Sequence, residues 1–181
     1  MKFIETSLKG AYLIKPKVFR DERGFFLEFW NEKVFAENGI DAKFVQDNHS
    51  LSLKKGVLRG LHFQLSPNAQ AKLVRVTRGK VYDVIVDLRK NSETFGKWKG
   101  FELSAENFEM VFVPRGFAHG FVTLEDNTEV IYKVDNIYAP DHDSGIIWND
   151  PTLDIDWPIK NPILSEKDSN LQNFKDFNSP F

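Results

Sequence analysis

The sequence predicts a mainly β fold, a sandwich, barrel or jelly roll with a few short helices, and three observations carry that expectation. Short apolar runs recur without a helical period; the longest, GKVYDVIVDL at 79–88, reads as a strand covered on both faces. Glycine or proline stands near the boundaries of these runs, at Gly56, Gly60, Gly79, Gly96, Gly100, Pro114, Gly116 and Pro140. Aromatic residues reach 14%, and phenylalanine alone numbers 17, more than a small helical bundle needs. In chain order, a helix is expected at 31–38 (NEKVFAEN), capped by Asn31 and ended by Gly39. The segment 56–64 reads as a strand, followed by further strands at 71–76, 79–88, 109–113, 120–124 and 129–134. Closely spaced short strands without intervening helices are the pattern of sandwiches and barrels. From Pro158 onward Pro, Asn, Asp and Lys accumulate, which predicts an arm folded over the body. There is no internal repeat or clear linker, so 1–181 is expected to form one domain.

Composition narrows the function classes. A chain of 181 residues is long enough for a buried core. A net charge of −2 and a pI of about 6.1 argue against a dedicated nucleic-acid binder or a basic membrane-surface protein. Without cysteine there is no disulfide framework, thiolate metal site or cysteine nucleophile. The first residues, MKFIETSLKG, lack the apolar stretch and cleavage site of a signal peptide, and no segment approaches the roughly 20 apolar residues of a membrane span. The expectation is a soluble cytoplasmic protein with no membrane or nucleic-acid partner.

The chain has four histidines, and two lie in apolar surroundings: His62 in GVLRGLHFQ (56–64) and His119 in PRGFAHGF (114–121). Strand alternation puts Leu58, Gly60, His62 and Gln64 on one face and Arg59, Leu61 and Phe63 on the other. The two motifs resemble those of cupins, small jelly-roll barrels, and a cupin-like barrel is therefore the expected architecture. Many cupins bind a metal through two His and one Glu of the first motif and one His of the second. Here Gln64 takes the place of the second histidine, and Pro67, Asn68 and Ala69 occupy the region of the glutamate. A neutral amide is a poor ligand, so no metal site is expected.

An ordered set of blocks resembles one cupin family more closely, the dTDP-4-dehydrorhamnose 3,5-epimerases. They are FRDERGFF (19–26), QDNHS (46–50), RGLHFQ (59–64), QAKLVR (70–75), VDLR (86–89), TFGKW (94–98), PRGFAHGF (114–121), SGIIW (144–148), DWP (156–158) and LSEKD (164–168). Together they span most of the chain. The resemblance implies a cofactor-free isomerase acting on a dTDP-linked 4-keto-6-deoxy sugar, inverting C3 and C5 beside the C4 ketone. The alternatives are a C3-only epimerase on a related sugar nucleotide and a non-catalytic sugar-nucleotide-binding cupin.

By that resemblance, His62 is the base, Asp168 the carboxylate that orients it, Tyr132 the acid from the opposite face, and Lys72 the cation at the enolate oxygen. Imidazole titrates at roughly 6.5 and a phenol at about 10, which suits the one to take a proton and the other to give one at neutral pH. Taken alone, Tyr132 reads as a barrel-lining aromatic, Lys72 as a snorkelling strand lysine and Asp168 as a solvated tail residue. Phe19, Arg23, Glu28, Gln46, Asp47, Asn48, Arg59, His119, Asp143 and Lys167 match substrate-binding positions of the family. Asp143 stands where the family often has Glu, and 170–181 is not diagnostic. Phe19 and Arg23 fall in a region that in the family reaches a neighbouring subunit's site, which implies a homodimer. Arg59 and His62 fall on opposite faces by simple alternation, so sharing one pocket requires a bulge or bend at Gly60.

Overall fold

The computed structural model describes residues Met1–Phe181. In chain order the strands are β1 (Lys2–Glu5), β2 (Tyr12–Lys15), β3 (Val18–Asp21), β4 (Gly24–Leu27), β5 (Gln46–Ser52), β6 (Leu58–Gln64), β7 (Lys72–Arg78), β8 (Lys80–Asp87), β9 (Trp98–Ser104), β10 (Met110–Val113), β11 (Phe117–Thr123), β12 (Thr128–Val134) and β13 (Asp143–Gly145). Two short helices accompany them, α1 (Glu32–Glu37) and α2 (Glu166–Ser169). A six-stranded sheet, ordered β1-β2-β10-β7-β12-β5, faces a five-stranded sheet, ordered β13-β6-β11-β8-β9, while β3 and β4 form a separate hairpin. Every pairing within the sheets is antiparallel, and the result is the expected jelly-roll barrel. No helix is long and apolar enough to cross a membrane.

Three apolar layers explain why the strand sequences run apolar without strict alternation. Between the sheets lie Val74, Val76, Ile85, Phe101, Leu103, Val111, Phe121 and Val130. The outer face of the five-stranded sheet, including Leu58, Val84, Val86 and Val122, is covered by Trp148, Trp157, Phe174, Phe177 and Phe181. The outer face of the six-stranded sheet is covered by Phe35 of α1 and by Ile40. Val84, Ile85 and Val86 are all fully buried because β8 has protein on both sides. The C-terminal arm is fastened by a hydrogen bond from the Ser179 hydroxyl to the Leu88 carbonyl and by one from the Lys90 amide to the Phe181 carbonyl.

Local signals behave as their chemistry requires. The Asn31 side chain accepts from the Val34 amide and starts α1, and Gly39, at φ +84°, turns the chain away after it. The strands β1 to β5, β9 and β13 are absent from the sequence reading. In β5 the cause is visible: its inward residues are Gln46, Asn48 and Ser50, polar because they line a cavity rather than a core, so no apolar alternation marks the strand.

The simple alternation expected of β6 does not hold. Its pairing with β11 sets His62 opposite His119 but Arg59 opposite Phe121, so β6 carries one residue more than its partner. That bulge reverses the phase of the strand. Leu58 joins Leu61 and Phe63 in the outer layer, and Arg59 comes to the inner face with His62. Glycine permits this: at Gly60, with φ +133°, an added Cβ would lie 2.5 Å from the Gly120 Cα and 3.0 Å from the His119 carbonyl oxygen.

Gly60→Ala is therefore expected to cost about 2 kcal/mol or more, through backbone clash added to strain at positive φ. Gly24 has a φ of +131° but no atom within 4 Å of an added Cβ, so Gly24→Ala should cost only about 1 kcal/mol. Urea unfolding of the two variants separates the clash from the strain, and equal losses would remove the close-approach argument.

Candidate active site

At one end of the barrel the sheets part around a cavity of about 460 Å³, lined among others by Arg59, His62, Lys72, His119, Tyr132, Lys167 and Asp168. A smaller cavity of about 130 Å³ shares His62, Lys72 and Tyr132 and adds Gln46, Asn48, Gln64, Tyr138 and Asp143. The five-stranded sheet supplies His62 from β6 and His119 from β11; the six-stranded sheet supplies Lys72 from β7 and Tyr132 from β12. The base candidate and the acid candidate thus stand on opposite sheets.

Asp168 is brought to His62 by the C-terminal arm. Ser165 caps α2, its hydroxyl accepting from the Asp168 amide at 3.1 Å, and this turns the Asp168 side chain inward to 4% exposure. Oδ1 of Asp168 lies 2.5 Å from His62 Nε2. With that nitrogen donating to the carboxylate, the imidazole lone pair is on Nδ1. Burial works to raise the Asp168 pKa, but hydrogen bonds from His62 and Ser165, with the charges of His62 and Lys167, outweigh it and hold the carboxyl below its ordinary value.

Two other groups have their protons set by desolvation. Burial pushes the Lys72 ammonium down to about 8, against the opposing pull of Asp83 and Asp143 and with a further push from Lys167. Burial raises the Tyr132 phenol; Arg59 partly offsets this, while Asp143 and Tyr138 add to it. Tyr132 therefore keeps its proton at neutral pH, and its strand neighbours on the same face, Val130 and Val134, are buried.

The second histidine also has a carboxylate behind it. His119 Nε2 lies 2.8 Å from Oδ2 of Asp83, a residue with 0% exposure on β8, while Asp83 Oδ1 has no hydrogen-bond partner. Sequence reasoning missed Asp83. The available signal was a carboxylate inside the apolar run Val81-Tyr82-Asp83-Val84-Ile85-Val86, since a buried charge needs a partner.

At the rim, Asp143 Oδ2 accepts from Lys167 Nζ at 2.5 Å and from the Tyr138 hydroxyl at 2.9 Å. Arg59 donates to the Ser52 hydroxyl and the Leu51 carbonyl, each at 3.3 Å. Gln46 donates to the Asn48 side chain at 3.0 Å. Tyr138 was also missed, being an exposed aromatic in a polar loop with no periodic signal.

Not every predicted residue joins this site. Asp47 alternates with Gln46 and Asn48 and so points to the other face of β5, where it is paired with Lys133 at 2.9 Å beside a separate outer cavity. Phe19 and Arg23 lie on the β3–β4 hairpin, Arg23 in its turn and ion-paired with Asp21, and they line a shallow depression formed by the hairpin itself. Glu28 follows the hairpin and accepts from the Asn31 side chain at 3.2 Å. No three His, Asp or Glu side chains converge as a metal ligand set, and the Gln64 side-chain nitrogen, Nε2, donates to two main-chain carbonyls, those of Asn68 and Ile137.

A base with an orienting carboxylate on one wall, a protonated phenol on the other and an ammonium between them can remove a proton beside a carbonyl, hold the resulting oxyanion and return a proton from the opposite side. A family model described as dTDP-4-dehydrorhamnose 3,5-epimerase matches residues 5–176. The dTDP-4-dehydrorhamnose 3,5-epimerase of Shigella flexneri is 54% identical over 177 residues, covering 97% of each chain. A solved structure of the Bacillus anthracis dTDP-4-dehydrorhamnose 3,5-epimerase, with TDP and PPi bound, is 54% identical with a TM-score of 0.93, over 95% of this chain and 98% of that one. The Legionella pneumophila dTDP-6-deoxy-D-glucose-3,5-epimerase, in complex with dTDP-4-keto-L-rhamnose, is 44% identical with a TM-score of 0.93, over 98% of this chain and 94% of that one.

Proposed function

This chain belongs to the dTDP-4-dehydrorhamnose 3,5-epimerase family, and on that premise we propose that it converts dTDP-4-dehydro-6-deoxy-D-glucose to dTDP-4-dehydro-L-rhamnose in dTDP-L-rhamnose biosynthesis. The observation that carries the reading is the His62–Asp168 pair on the wall opposite Tyr132, with Lys72 between the same two sheets.

In this reading His62 Nδ1 takes the proton from the carbon beside the C4 ketone. The electron pair of the broken C–H bond moves into the enolate, whose oxygen is stabilised by the Lys72 ammonium. Asp168 holds the imidazole in the required tautomer and stabilises its protonated form. Tyr132 then protonates the carbon from the other side, which inverts it, and the proton on His62 returns through solvent to restore the phenol. C3 and C5 both flank C4, so one base and one acid serve both carbons. Arg59, His119, Gln46, Asn48 and Lys167 surround this centre and offer donors for the diphosphate and sugar oxygens, Asp143 offers an acceptor for a sugar hydroxyl, and the planar guanidinium of Arg59 suits a diphosphate.

Assembly is part of the same proposal. Phe19, Phe25 and Phe26 of the hairpin are 53%, 55% and 71% exposed, an apolar load that a second copy would cover. In a homodimer, Phe19, Arg23 and Glu28 would complete the partner's nucleotide site. We assign the enzyme to the cytoplasm, since its doubly charged substrate does not cross a lipid bilayer unaided.

Incubation with the substrate in D2O, with a chelator present, is expected to place deuterium at C3 and C5; deuterium at C3 alone would reduce the enzyme to a mono-epimerase. His62→Ala should abolish both exchanges while the variant still binds dTDP, and near-wild-type exchange would refute the base assignment. The working form of Lys72 is the charged one, so kcat/KM is expected to fall as pH rises through about 8, and Lys72→Arg should lack that limb. Sedimentation should report a dimer, and Arg23→Ala should raise KM about tenfold with little change in kcat; a monomer with full activity would remove the shared-site reading.

A further inference from the structure

Gln64 occupies the position of a cupin metal ligand, yet its amide is turned to a different task. It is 4% exposed, at the end of β6, two residues beyond His62 and opposite Asp143 of β13. Its Nε2 donates to the Asn68 carbonyl at 2.6 Å and to the Ile137 carbonyl at 3.1 Å, and its Oε1 accepts from the Ala139 amide at 2.7 Å. Two carbonyls beside one end and an amide beside the other fix which end is nitrogen.

Gln64 does not hold the Ile137–Ala139 segment alone. The Tyr138 amide donates to Gln46 Oε1 at 3.0 Å, and Gln70 Nε2 donates to the Asn136 carbonyl at 2.8 Å. The segment lies outside every strand and helix, so side-chain amides replace the ladder that would otherwise fix it. What it carries matters: the Tyr138 hydroxyl donates to Asp143, Asp143 also accepts from Lys167, and Lys167 precedes Asp168 on α2. Gln64 thus joins the strand of the base to the loop that closes the rim over the same cavity.

We propose that Gln64 is a positioning residue whose buried amide sets the Ile137–Ala139 loop, and through it Tyr138 and Asp143, in the conformation that receives the nucleotide-linked sugar. It acts on substrate capture and not on proton transfer. The inference rests on the reading that this cavity takes such a substrate.

Gln64→Glu keeps the size and the acceptor for the Ala139 amide but turns a carboxylate oxygen toward two carbonyls; Gln64→Met removes all three hydrogen bonds at similar volume. Each variant is expected to raise KM about tenfold or more while kcat stays within about threefold. In a Tyr138→Ala background, Gln64→Met should raise KM by less than about twofold further, because its effect is transmitted through that loop. A residue that only packs would lower the melting temperature and leave KM alone, and that result, or a fall in kcat at constant KM, would overturn the proposal.

Amide hydrogen exchange at Tyr138 and Ala139 in the substrate-free protein gives a readout independent of turnover. Wild type should show protection of at least about a hundredfold, and Gln64→Met should lose most of it. Unprotected amides in wild type would overturn the proposal even if both variants failed to fold. Protection in a protein that does not epimerise would leave Gln64's role standing and refute the substrate instead.

Discussion

Where β6 passes β11, Gly60 and Gly120 bring two backbones closer than any side chain would allow, and β6 accommodates one residue more than its partner. The polar end of the barrel depends on that extra residue. Below it, His62 and Gln64 face inward; above it, Arg59 does too, in place of Leu58. A regular strand would have sent the guanidinium into the apolar layer beneath the C-terminal arm and Leu58 into the cavity. The bulge thus lets one strand turn an imidazole, a guanidinium and an amide to the inner face while burying Leu58, Leu61 and Phe63 on the other side.

Placing polar groups between two sheets brings a second requirement, that each have a partner. The interior meets it with carboxylates: Asp168 behind His62 and Asp83 behind His119, while Lys72 feels both Asp83 and Asp143. The carboxylates differ in origin. Asp83 is part of a central strand and buried with the core, whereas Asp168 arrives on a four-residue helix at the end of the chain. The arm that precedes and follows α2 is therefore more than cover for the outer sheet face. Through the contacts of Trp157, Leu164, Phe174 and Phe177, it holds the carboxylate partner of His62 in place.

The edges are treated differently from the interior. The rim loop is fastened by glutamine side chains, and the β3–β4 hairpin stands off the barrel with its aromatic faces open. The cavity between the sheets is lined by buried and half-buried groups on strands, whereas its rim and the separate hairpin are built from loop and turn segments. Rigid placement matters most where protons move, and adaptable contacts suffice where charge and shape are recognised.

The local facts were legible from residues alone. Periodicity and punctuation marked β7, β8, β10, β11 and β12, Asn31 and Gly39 marked the ends of α1, and the family motifs singled out His62, Lys72, Tyr132 and Asp168. The strands and helix ends follow from backbone propensity and punctuation, whereas the four site residues come from the family resemblance. The strand β5 escaped because its inward residues are polar, Asp83 because its partner is 36 positions away, and Tyr138 because a loop has no period. Other matters belonged to the tertiary structure. It put Arg59 on the inner face through one added residue, turned Asp47 outward to Lys133, and closed the 106-residue separation between His62 and Asp168. The physical reason is that a sequence specifies a strand's period, while the phase of that period, and the partner a buried charge finds, are settled only when separate segments pack against one another.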